Sequence, residues 1–328
     1  MARVLVTGVT GFIGSILAKR LIELGYKVFG AVRHCASRSL RPIEAILDDI
    51  ALLNADITDP MSISQALRSA DPDYLCHLAA LTPVSLSFEK PFDYLRMNYL
   101  GTMNIIHAMM NLPDYEKRKI VIASTGEVYG FQKEEDAHEN PLKEDASFNP
   151  TSPYAVSKAA VDMYATMASQ VYNLDCVTLR PTNTYGRRFD THFLVEYGIT
   201  SMLKGEKVYV GAPESIRDYL YVDDHVNAYI QAMKKGKRGQ AYNIGRGEGI
   251  KNLFLIERIA DKIGYGKNKI VFGSYPPGYP LRPIVSDQPY IILDSAKAKR
   301  ELNWGAQVNL DEGLEKTIKY WESKLVTH

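Results

Sequence analysis

The sequence lacks both a cysteine framework and a long apolar run. Only three cysteines, Cys35, Cys76 and Cys176, occur in 328 residues, and they form no C-x-x-C pair. Their number and spacing exclude a disulfide framework and a thiolate metal site, and we expect a reducing, cytoplasmic location. Nowhere do about eighteen apolar residues follow one another, which excludes a membrane-spanning helix.

An excess of charge of one sign is absent as well. The 39 lysines and arginines nearly balance the 38 aspartates and glutamates, which leaves a formal net charge of +1. Such a chain has no overall field that would hold a nucleic-acid backbone or an anionic membrane. The seven histidines are scattered without H-E-x-x-H spacing, so we expect no metal site. Any anionic ligand must therefore bind at a local site.

Short apolar runs alternate with helical patterns through the first half of the chain. The predicted strands and helices are Val4–Val6, Phe12–Leu24, Val28–Val32, Ile50–Leu53, a helix from about Met61, Tyr74–Leu78, a helix from about Pro91, and Ile120–Ala123. This order is typical of βαβ units with a parallel sheet, so the predicted fold class is α/β. After Arg180 the alternation stops and proline, glycine and tyrosine become frequent, which predicts a smaller C-terminal lobe.

The clearest local motif is a glycine-rich turn between the first strand and the first helix. It contains Gly8, Gly11 and Gly14, with Phe12 and Ile13 before the last glycine. Glycines at such positions let the backbone turn tightly and approach a pyrophosphate, whose charge is stabilised by the N-terminal N–H groups of the helix. The motif predicts a dinucleotide ligand.

The end of the second predicted strand bears on which dinucleotide binds. An acidic residue commonly holds the adenosine ribose hydroxyls there, but here the sequence is Gly30-Ala31-Val32-Arg33-His34. With no carboxylate, and with a guanidinium available to pair with a 2′-phosphate, the sequence favours NADP over NAD. The alternative is that Arg33 is a solvated loop charge.

A tyrosine and a lysine four residues apart form a second candidate site. Pro153 suits a first helical turn that Ser152 caps. Tyr154 and Lys158 then project from one face of the predicted helix. The lysine charge is expected to lower the pKa of the phenol, so that the phenolate can act as a base. Thr125, at the end of a strand, supplies a further hydroxyl group.

Further motifs follow one another in a recognisable order. They are Asp56-Ile57, His77-Leu78-Ala79-Ala80, Asn98 with Gly101-Thr102, Arg180-Pro181-Thr182-Asn183, Arg217-Asp218-Tyr219, Arg282-Pro283 and Leu302-Asn303-Trp304. With the glycine turn and the tyrosine–lysine pair, they resemble the extended short-chain dehydrogenase/reductase family and its nucleotide-sugar epimerase/dehydratase branch. The likeness extends over nearly the whole chain. The segment Val28–Arg33 and Arg282-Pro283 look most similar to GDP-mannose 4,6-dehydratase-like members.

The resemblance implies a doubly wound parallel (Rossmann) sheet with a smaller C-terminal substrate lobe. Residues 1–180 would form the dinucleotide-binding domain, a segment near 223–247 would return to it, and residues 181–328 would mainly bind substrate. The positions that match the cofactor contacts of the family are Gly8, Gly11, Phe12, Ile13, Gly14, Arg33, Asp56, Ile57, Leu78, Ala79, Ala80, Asn98, Tyr154, Lys158 and Pro181.

The resemblance also implies a reaction through a transient 4-keto sugar. Tyr154 would remove the proton from the sugar O4 while a nicotinamide takes the C4 hydride. Lys158 would assist Tyr154 electrostatically, and the Thr125 hydroxyl would hydrogen-bond to O4. The ketone makes the C5 proton acidic, so the C6 hydroxyl can be eliminated if a second base is present.

Glu127 is the residue that separates the possible reactions. Family dehydratases and decarboxylases carry a glutamate two residues after the threonine, whereas 4-epimerases generally carry a small or hydroxyl residue. Strand alternation would return Glu127 to the side of Thr125, unless Gly126 turns it away. One dehydratase subfamily has an aspartate at the position of Gly126. This chain lacks that aspartate, and GDP-mannose dehydratase-like members lack it too. We therefore expect a 4,6-dehydratase, with a 4-epimerase as the alternative and a decarboxylase, a 4-keto reductase or a silent NAD(P)-binding sensor less favoured.

The implied substrate is a nucleoside-diphosphate sugar, whose base and sugar the sequence leaves open. Its diphosphate needs cations, and the candidate arginines lie beyond the cofactor half of the chain. The positions that match substrate contacts of the family are Ser87, Thr125, Asn183, Arg188, Arg217 and Arg282.

The helix predicted between Phe92 and Met110 is apolar on more than one face. Its apolar residues include Leu95, Leu100, Met103, Ile106, Met109 and Met110. One face of such a helix packs on the sheet, so the excess predicts a contact with a second subunit. The resemblance implies the same contact in a homodimer, and coverage by the smaller lobe is the alternative.

Overall fold

Strands and helices alternate through the first half of the chain, as its apolar pattern predicts. A computed structural model describes residues 1–33, 40–131, 141–280, 283 and 286–325. The strands are β1 (Arg3–Thr7), β2 (Lys27–Val32), β3 (Ala51–Asn54), β4 (Tyr74–His77), β5 (Lys119–Ala123), β6 (Asp175–Pro181), β7 (Asn183–Tyr185), β8 (Val208–Val210), β9 (Ile216–Tyr221), β10 (Ala241–Ile244), β11 (Gly249–Lys251), β12 (Ile270–Phe272) and β13 (Tyr290–Ile291). The helices are α1 (Phe12–Glu23), α2 (Pro60–Ala70), α3 (Val84–Glu89), α4 (Pro91–Tyr94), α5 (Gly101–Met110), α6 (Pro153–Val171), α7 (Leu194–Leu203), α8 (Val222–Lys235), α9 (Asn252–Ile263), α10 (Ala296–Leu302) and α11 (Leu310–Leu325).

Seven strands form one sheet in the order β10-β6-β5-β4-β1-β2-β3. All neighbouring strands in it run parallel. Because β1 lies between β2 and β4, the chain winds outward from β1 in both directions. At such a switch point the loops that follow the strands diverge and leave a crevice at the carboxyl ends. The predicted α/β class with a doubly wound parallel sheet is confirmed.

A layer of helices packs on each face of this sheet and buries its apolar side chains. On one face, α1 and α8 contribute residues such as Leu17 and Met233 to the core. On the other face, α2 and α5 contribute residues such as Ile63 and Ile105. The apolar middle of β1, formed by Val4, Leu5 and Val6, has no exposed surface because both of its faces are covered. The sheet below the crevice is therefore tightly packed on both faces.

The smaller half of the fold is built around β9. β11 pairs with β9 antiparallel, whereas β13 and β7 pair with it in parallel. β8 and β12 form a separate parallel pair, and α7 packs against α9 and α11. In the larger sheet, β10 pairs with β6, and α8 contacts β5 and β6. The division of the chain into two domains near residue 180 stays a prediction.

The helix predicted from Pro91 contains a wider turn than its apolar pattern indicates. A π-helical segment, Leu95–Leu100, joins α4 to α5. Asn98 lies in this segment, and its amide bonds the backbone N–H and carbonyl of Leu81 at 2.8 and 3.1 Å. π-Helical turns insert one extra residue and often occur at functional sites. The hydrophobic period alone does not reveal such an insertion.

Two of the three cysteines fall in the described part of the chain. Cys76 and Cys176 are buried and unpaired, and Cys35 lies outside the described residues. The cytoplasmic location expected from the cysteines stays a prediction. Within the described ranges, no helix combines the length and the hydrophobicity that a bilayer crossing requires.

A buried ion pair joins α6 to β6. Arg180 Nε and Nη2 donate to the two carboxylate oxygens of Asp162 at 2.8 and 2.9 Å. The two side chains are only 7% and 2% exposed. The guanidinium also donates to Tyr129 Oη at 2.8 Å and lies 4.7 Å from the centroid of the Phe148 ring. Removal of the carboxylate would leave a buried cation without its counterion.

We expect Asp162→Ala to lower the free energy of unfolding by about 3–5 kcal/mol, because Arg180 would remain buried and unneutralised. Denaturation in urea, followed by circular dichroism, measures this change. Glu23→Ala is the matched control, since Glu23 pairs with Arg20 at 3.0 Å with side chains 45% and 57% exposed. Its loss should lower the free energy of unfolding by less than about 1 kcal/mol. Equal losses in the two variants would contradict the prediction.

Candidate active site

A cavity of about 1020 Å³ opens at the carboxyl ends of β1, β4 and β5. Residues from both halves of the fold line it. Most of the predicted site residues are among them: Gly8, Gly11, Phe12, Ile13, Gly14, Arg33, Ile57, Leu78, Ala79, Ala80, Thr125, Glu127, Tyr154, Lys158, Pro181 and Asn183. The topology thus brings together side chains that are far apart in the sequence.

The glycine turn lies directly against the end of β4. Gly8 has a φ of +70°, and a Cβ on it would lie 2.8 Å from the backbone nitrogen of Ala79. A Cβ on Gly14 would lie 2.2 Å from the Gly8 carbonyl oxygen. α1 begins at Phe12 without a side-chain cap at Gly11, which leaves its first N–H groups available to an anion. Only glycine fits this turn, and the cradle suits a pyrophosphate.

A chain of hydrogen bonds fixes the loop after β4. Thr102 Oγ1 donates to the Asn98 carbonyl of the preceding π-helical segment at 2.5 Å, so it accepts from His77 Nε2 at 2.9 Å. His77 Nδ1 then accepts from Thr7 Oγ1 at 2.8 Å, and Thr7 accepts from the N–H groups of Leu78 and Ala79. Burial and the nearby Lys158 charge lower the pKa of His77 to about 3. The neutral imidazole keeps this donor–acceptor direction.

Glu127 enters the cavity by a different path from the one predicted. β5 ends at Ala123, and Gly126–Tyr129 forms a short 3-10 turn. Thr125 caps this turn, because its Oγ1 accepts from the Glu127 N–H at 3.2 Å. The predicted strand alternation from Thr125 to Glu127 is therefore wrong, because β5 ends before these residues. Thr125 and Glu127 nevertheless both line the cavity.

Gly126 faces the interior beside these two residues. A Cβ on it would lie 3.1 Å from Leu293 Cδ1 and 3.4 Å from the Pro181 carbonyl oxygen. An aspartate at this position would therefore require Leu293 to move. Glu127 is the acidic residue that this turn contributes to the cavity.

Tyr154 and Lys158 reach the cavity from the first turns of α6. Ser152 Oγ caps the helix by accepting from the Ala155 N–H at 3.1 Å. Lys158 Nζ donates to the Ala123 carbonyl at 2.7 Å, and burial lowers the pKa of Lys158 to about 8. Burial raises the pKa of Tyr154, partly offset by a hydrogen bond with Thr125. The predicted lowering of the Tyr154 pKa is therefore wrong for the protein without a bound cofactor. Desolvation of the phenol has a larger effect on its pKa than the groups that surround it.

Two of the predicted cofactor contacts, Asp56 and Asn98, do not line the cavity. Asp56 Oδ1 accepts from the N–H and the hydroxyl of Thr58 at 2.9 and 2.8 Å. Asn98 bonds the Leu81 backbone and donates to Ser157 Oγ at 3.0 Å. Asp56 thus stabilises its own turn, and Asn98 positions the segment that follows β4.

Several of the predicted substrate contacts also lie elsewhere. Ser87 is fully buried, and its Oγ donates to the Val84 carbonyl at 2.6 Å. Arg217 pairs with Asp287 at 3.2 Å outside the cavity lining. Arg188 lines a neighbouring cavity of about 1280 Å³. Arg282 falls outside the described residues. Of this set, Thr125 and Asn183 line the cavity at the carboxyl ends of β1, β4 and β5.

Three further lining residues carry buried polar groups, and two of them, His225 and Tyr229, were not singled out from the sequence. Ser124 Oγ, His225 Nε2 and Tyr229 Oη are buried and have no hydrogen-bond partner among the described residues. All three residues line the cavity, and His225 and Tyr229 lie one turn apart on α8 with stacked rings. Buried polar atoms are rarely left unsatisfied. With the glycine cradle, they make the cavity a fitting site for a dinucleotide.

A sequence model described as GDP-mannose 4,6 dehydratase matches residues 5–317. The chain belongs to this family. The resemblance to the nucleotide-sugar epimerase/dehydratase branch of the extended short-chain dehydrogenases/reductases is thereby confirmed. This GDP-mannose 4,6 dehydratase family member is an NAD(P)-dependent enzyme of the epimerase/dehydratase class.

Relatives of this family member span more than one reaction. It is 33% identical to a probable dTDP-glucose 4,6-dehydratase of Sinorhizobium fredii, over 97% of this chain and 92% of that protein. A crystal structure of UDP-glucose 4-epimerase from Thermotoga maritima with UDP-glucose is 31% identical, with a TM-score of 0.87, and 98% of this chain and 99% of that chain are covered. The dTDP-glucose 4,6-dehydratase of Streptomyces venezuelae with NAD bound is 25% identical, with a TM-score of 0.87, and 99% and 98% are covered.

We expect Gly14→Ala to abolish dinucleotide binding, because its Cβ would collide with the Gly8 backbone and push the turn into the pyrophosphate space. Fluorescence titration of the purified protein with NADP and NAD measures the loss. Gly305→Ala is the control, since a Cβ there would meet nothing closer than 4.0 Å. Unchanged affinity in Gly14→Ala would show that the turn does not hold the cofactor.

Proposed function

We propose that this enzyme is a nucleoside-diphosphate-hexose 4,6-dehydratase that works through transient oxidation at C4. The observation that carries the proposal is the Glu127 carboxylate in the same cavity as Thr125, Tyr154 and Lys158. Glu127 also lies close enough to Tyr154 to raise the pKa of the phenol. A phenol and a carboxylate that face one cavity supply the two bases that elimination after C4 oxidation requires.

Tyr154 and Thr125 are the residues placed to act at the sugar O4. The Thr125 hydroxyl lies close enough to Tyr154 to lower the pKa of the phenol, so a sugar hydroxyl that contacts both groups would transfer its proton to the phenolate. The Lys158 ammonium favours that phenolate by its charge. A nicotinamide, when bound, would accept the C4 hydride and return it at C6.

Glu127 is the residue placed to act at C5. It removes the C5 proton, which the C4 ketone has made acidic, and the C–H electron pair forms the C5–C6 double bond. The C6 hydroxyl leaves as water after it receives the proton from Glu127. When C6 has been reduced, C5 takes a new proton that derives from solvent. Atoms balance, and the product is a 4-keto-6-deoxy sugar that has lost one water.

We expect Glu127→Gln to abolish water loss but to permit hydride transfer, since Thr125, Tyr154 and Lys158 are unchanged. A reduced-nicotinamide absorbance should then build up after stopped-flow mixing with substrate. The wild-type product should carry solvent deuterium at C5. Tyr154→Phe is the matched control, because loss of the phenolic oxygen should slow hydride transfer itself by about 100-fold or more.

The substrate panel is UDP-glucose, UDP-N-acetylglucosamine, UDP-glucuronate, GDP-mannose and dTDP-glucose, with products identified by mass. A product lighter by one water supports the proposal, and loss of carbon dioxide would indicate a decarboxylase. Three results together would instead indicate a 4-epimerase and exclude the dehydratase. They are a product of unchanged mass with a new sugar, no deuterium at C5, and normal turnover by Glu127→Gln. The likeness to the Thermotoga maritima epimerase makes a 4-epimerase the second candidate.

We propose NADP as the preferred cofactor. Arg33 directly follows β2, is exposed and lines the cavity. Among the described residues at this strand end, from Ala31 to Arg33, no carboxylate is available to the adenosine ribose hydroxyls. The Streptomyces venezuelae dehydratase holds NAD, so binding to both dinucleotides has to be compared.

We expect NADP to bind more tightly than NAD, and Arg33→Asp to invert this order, because a carboxylate repels the 2′-phosphate and accepts from ribose hydroxyls. Isothermal titration of the cofactor-free protein measures both affinities. Arg300→Asp makes the same charge change at an exposed side chain of α10 and should preserve the order. Tighter binding of NAD by the wild type, by about tenfold or 1.4 kcal/mol, would exclude the NADP preference.

A homodimer is proposed from the apolar faces of the helices α4 to α6. Phe92, Leu100 and Met163 are 83%, 48% and 65% exposed. Ile106 and Met109 of the predicted stripe are fully buried, so one face of the helix packs on the sheet and another stays open. An apolar face of this kind suits a second copy of the chain.

A further inference from the structure

Gln288 lies just before β13 and is only 1% exposed. Its Nε2 donates to Glu127 Oε2 at 3.0 Å and to Thr151 Oγ1 at 3.2 Å. Gln288 belongs to the smaller half of the fold, whereas Glu127 follows β5 of the larger sheet. A buried amide that reaches across the two halves to a carboxylate in the cavity needs a physical reason.

The surrounding hydrogen bonds determine how this amide is oriented. Thr151 Oγ1 donates its hydrogen to the Ser286 carbonyl at 3.2 Å, so its oxygen can accept from Gln288. The Glu127 carboxylate also accepts, and a reversed amide would place a carbonyl oxygen against it. Both amide hydrogens are therefore used. The Gln288 Oε1 atom is buried without a partner among the described residues, a cost that the structure tolerates to keep the donor toward Glu127.

We propose that Gln288 is a positioning residue, which holds the Glu127 carboxylate in place to take the C5 proton. The proposal rests on the proposed dehydratase function. Glu127 is fixed at its backbone by the Thr125 cap, but its long side chain would otherwise rotate freely. The hydrogen bond from Gln288 fixes Oε2 and leaves Oε1 for proton transfer.

The neighbour of Gln288 strengthens this assignment. Asp287 pairs with Arg217, with side chains 13% and 8% exposed, and accepts from Tyr275 Oη at 3.2 Å. Consecutive residues of one segment thus hold a buried arginine of the smaller half and the carboxylate of the larger half. The position of Glu127 is therefore tied to the lobe that is predicted to bind the nucleotide.

The test replaces Gln288 by methionine, which has a similar shape but no N–H donor. If Gln288 positions Glu127, C5 deprotonation should become about 10- to 100-fold slower, the range expected for a lost hydrogen bond to a charged group. Hydride transfer should keep its rate, so reduced-nicotinamide absorbance should build up in stopped-flow mixing. Gln288→Glu should slow the C5 step further, because two carboxylates would face each other.

A double-mutant cycle separates positioning from a general structural role. In the Glu127→Gln background, Gln288→Met should cause no further loss of C5 exchange. Cofactor affinity and thermal unfolding are measured for every variant. Gln240→Met changes an exposed glutamine, which accepts from Lys297, and should alter neither step. If Gln288→Met does not fold, Thr151→Val removes the second partner of the amide and should give the same pattern more weakly.

Two results overturn the proposal, and they differ from failure of the dehydratase function. Equal slowing of hydride transfer and C5 exchange, without accumulated reduced cofactor, would make Gln288 only a structural residue. Additive losses in the double mutant would do the same. If the wild-type product carries no solvent deuterium at C5 and Glu127→Gln turns over normally, the dehydratase function itself is wrong, and the positioning role falls with it.

Discussion

The close approach of two backbones at the centre of the sheet is the constraint on which the site depends. A side chain on Gly8 would lie 2.8 Å from the nitrogen of Ala79, so the turn after β1 can pack against the loop after β4 only as glycine. The Thr7–His77 hydrogen bond holds the same two strand ends together. The cavity opens above this contact because the flanking loops diverge there.

Burial then sets the protonation of the groups that surround the cavity. It lowers the pKa of His77 to about 3 and of Lys158 to about 8, and it raises the pKa of Tyr154. All three shifts favour the neutral form, as desolvation does. A neutral His77 suits its structural role in the loop. Ionisation of Tyr154 needs a nearby positive charge, which Lys158 and an oxidised nicotinamide would supply.

The two halves of the fold meet at the Glu127 carboxylate. The larger half contributes the turn that carries Glu127, and the smaller half contributes the amide of Gln288 that bonds it. The carboxylate that separates a dehydratase from an epimerase in the proposed mechanism is therefore bonded across the interface between the halves. The predicted cofactor contacts that line the cavity, in contrast, all belong to the larger half.

Local sequence patterns determined the elements whose geometry is local: the glycine turn before α1, the capped start of α6 with Tyr154 and Lys158, and the alternating strands and helices. Tertiary structure alone decided where longer side chains point. Asp56 bonds its own loop, and Asn98 bonds the segment after β4. Glu127 lies in a 3-10 turn instead of a strand, and Gln288 bonds it from the other half of the fold. The physical reason is that backbone periodicity is set by neighbours in the chain, whereas a buried polar side chain bonds whatever the packing brings within reach.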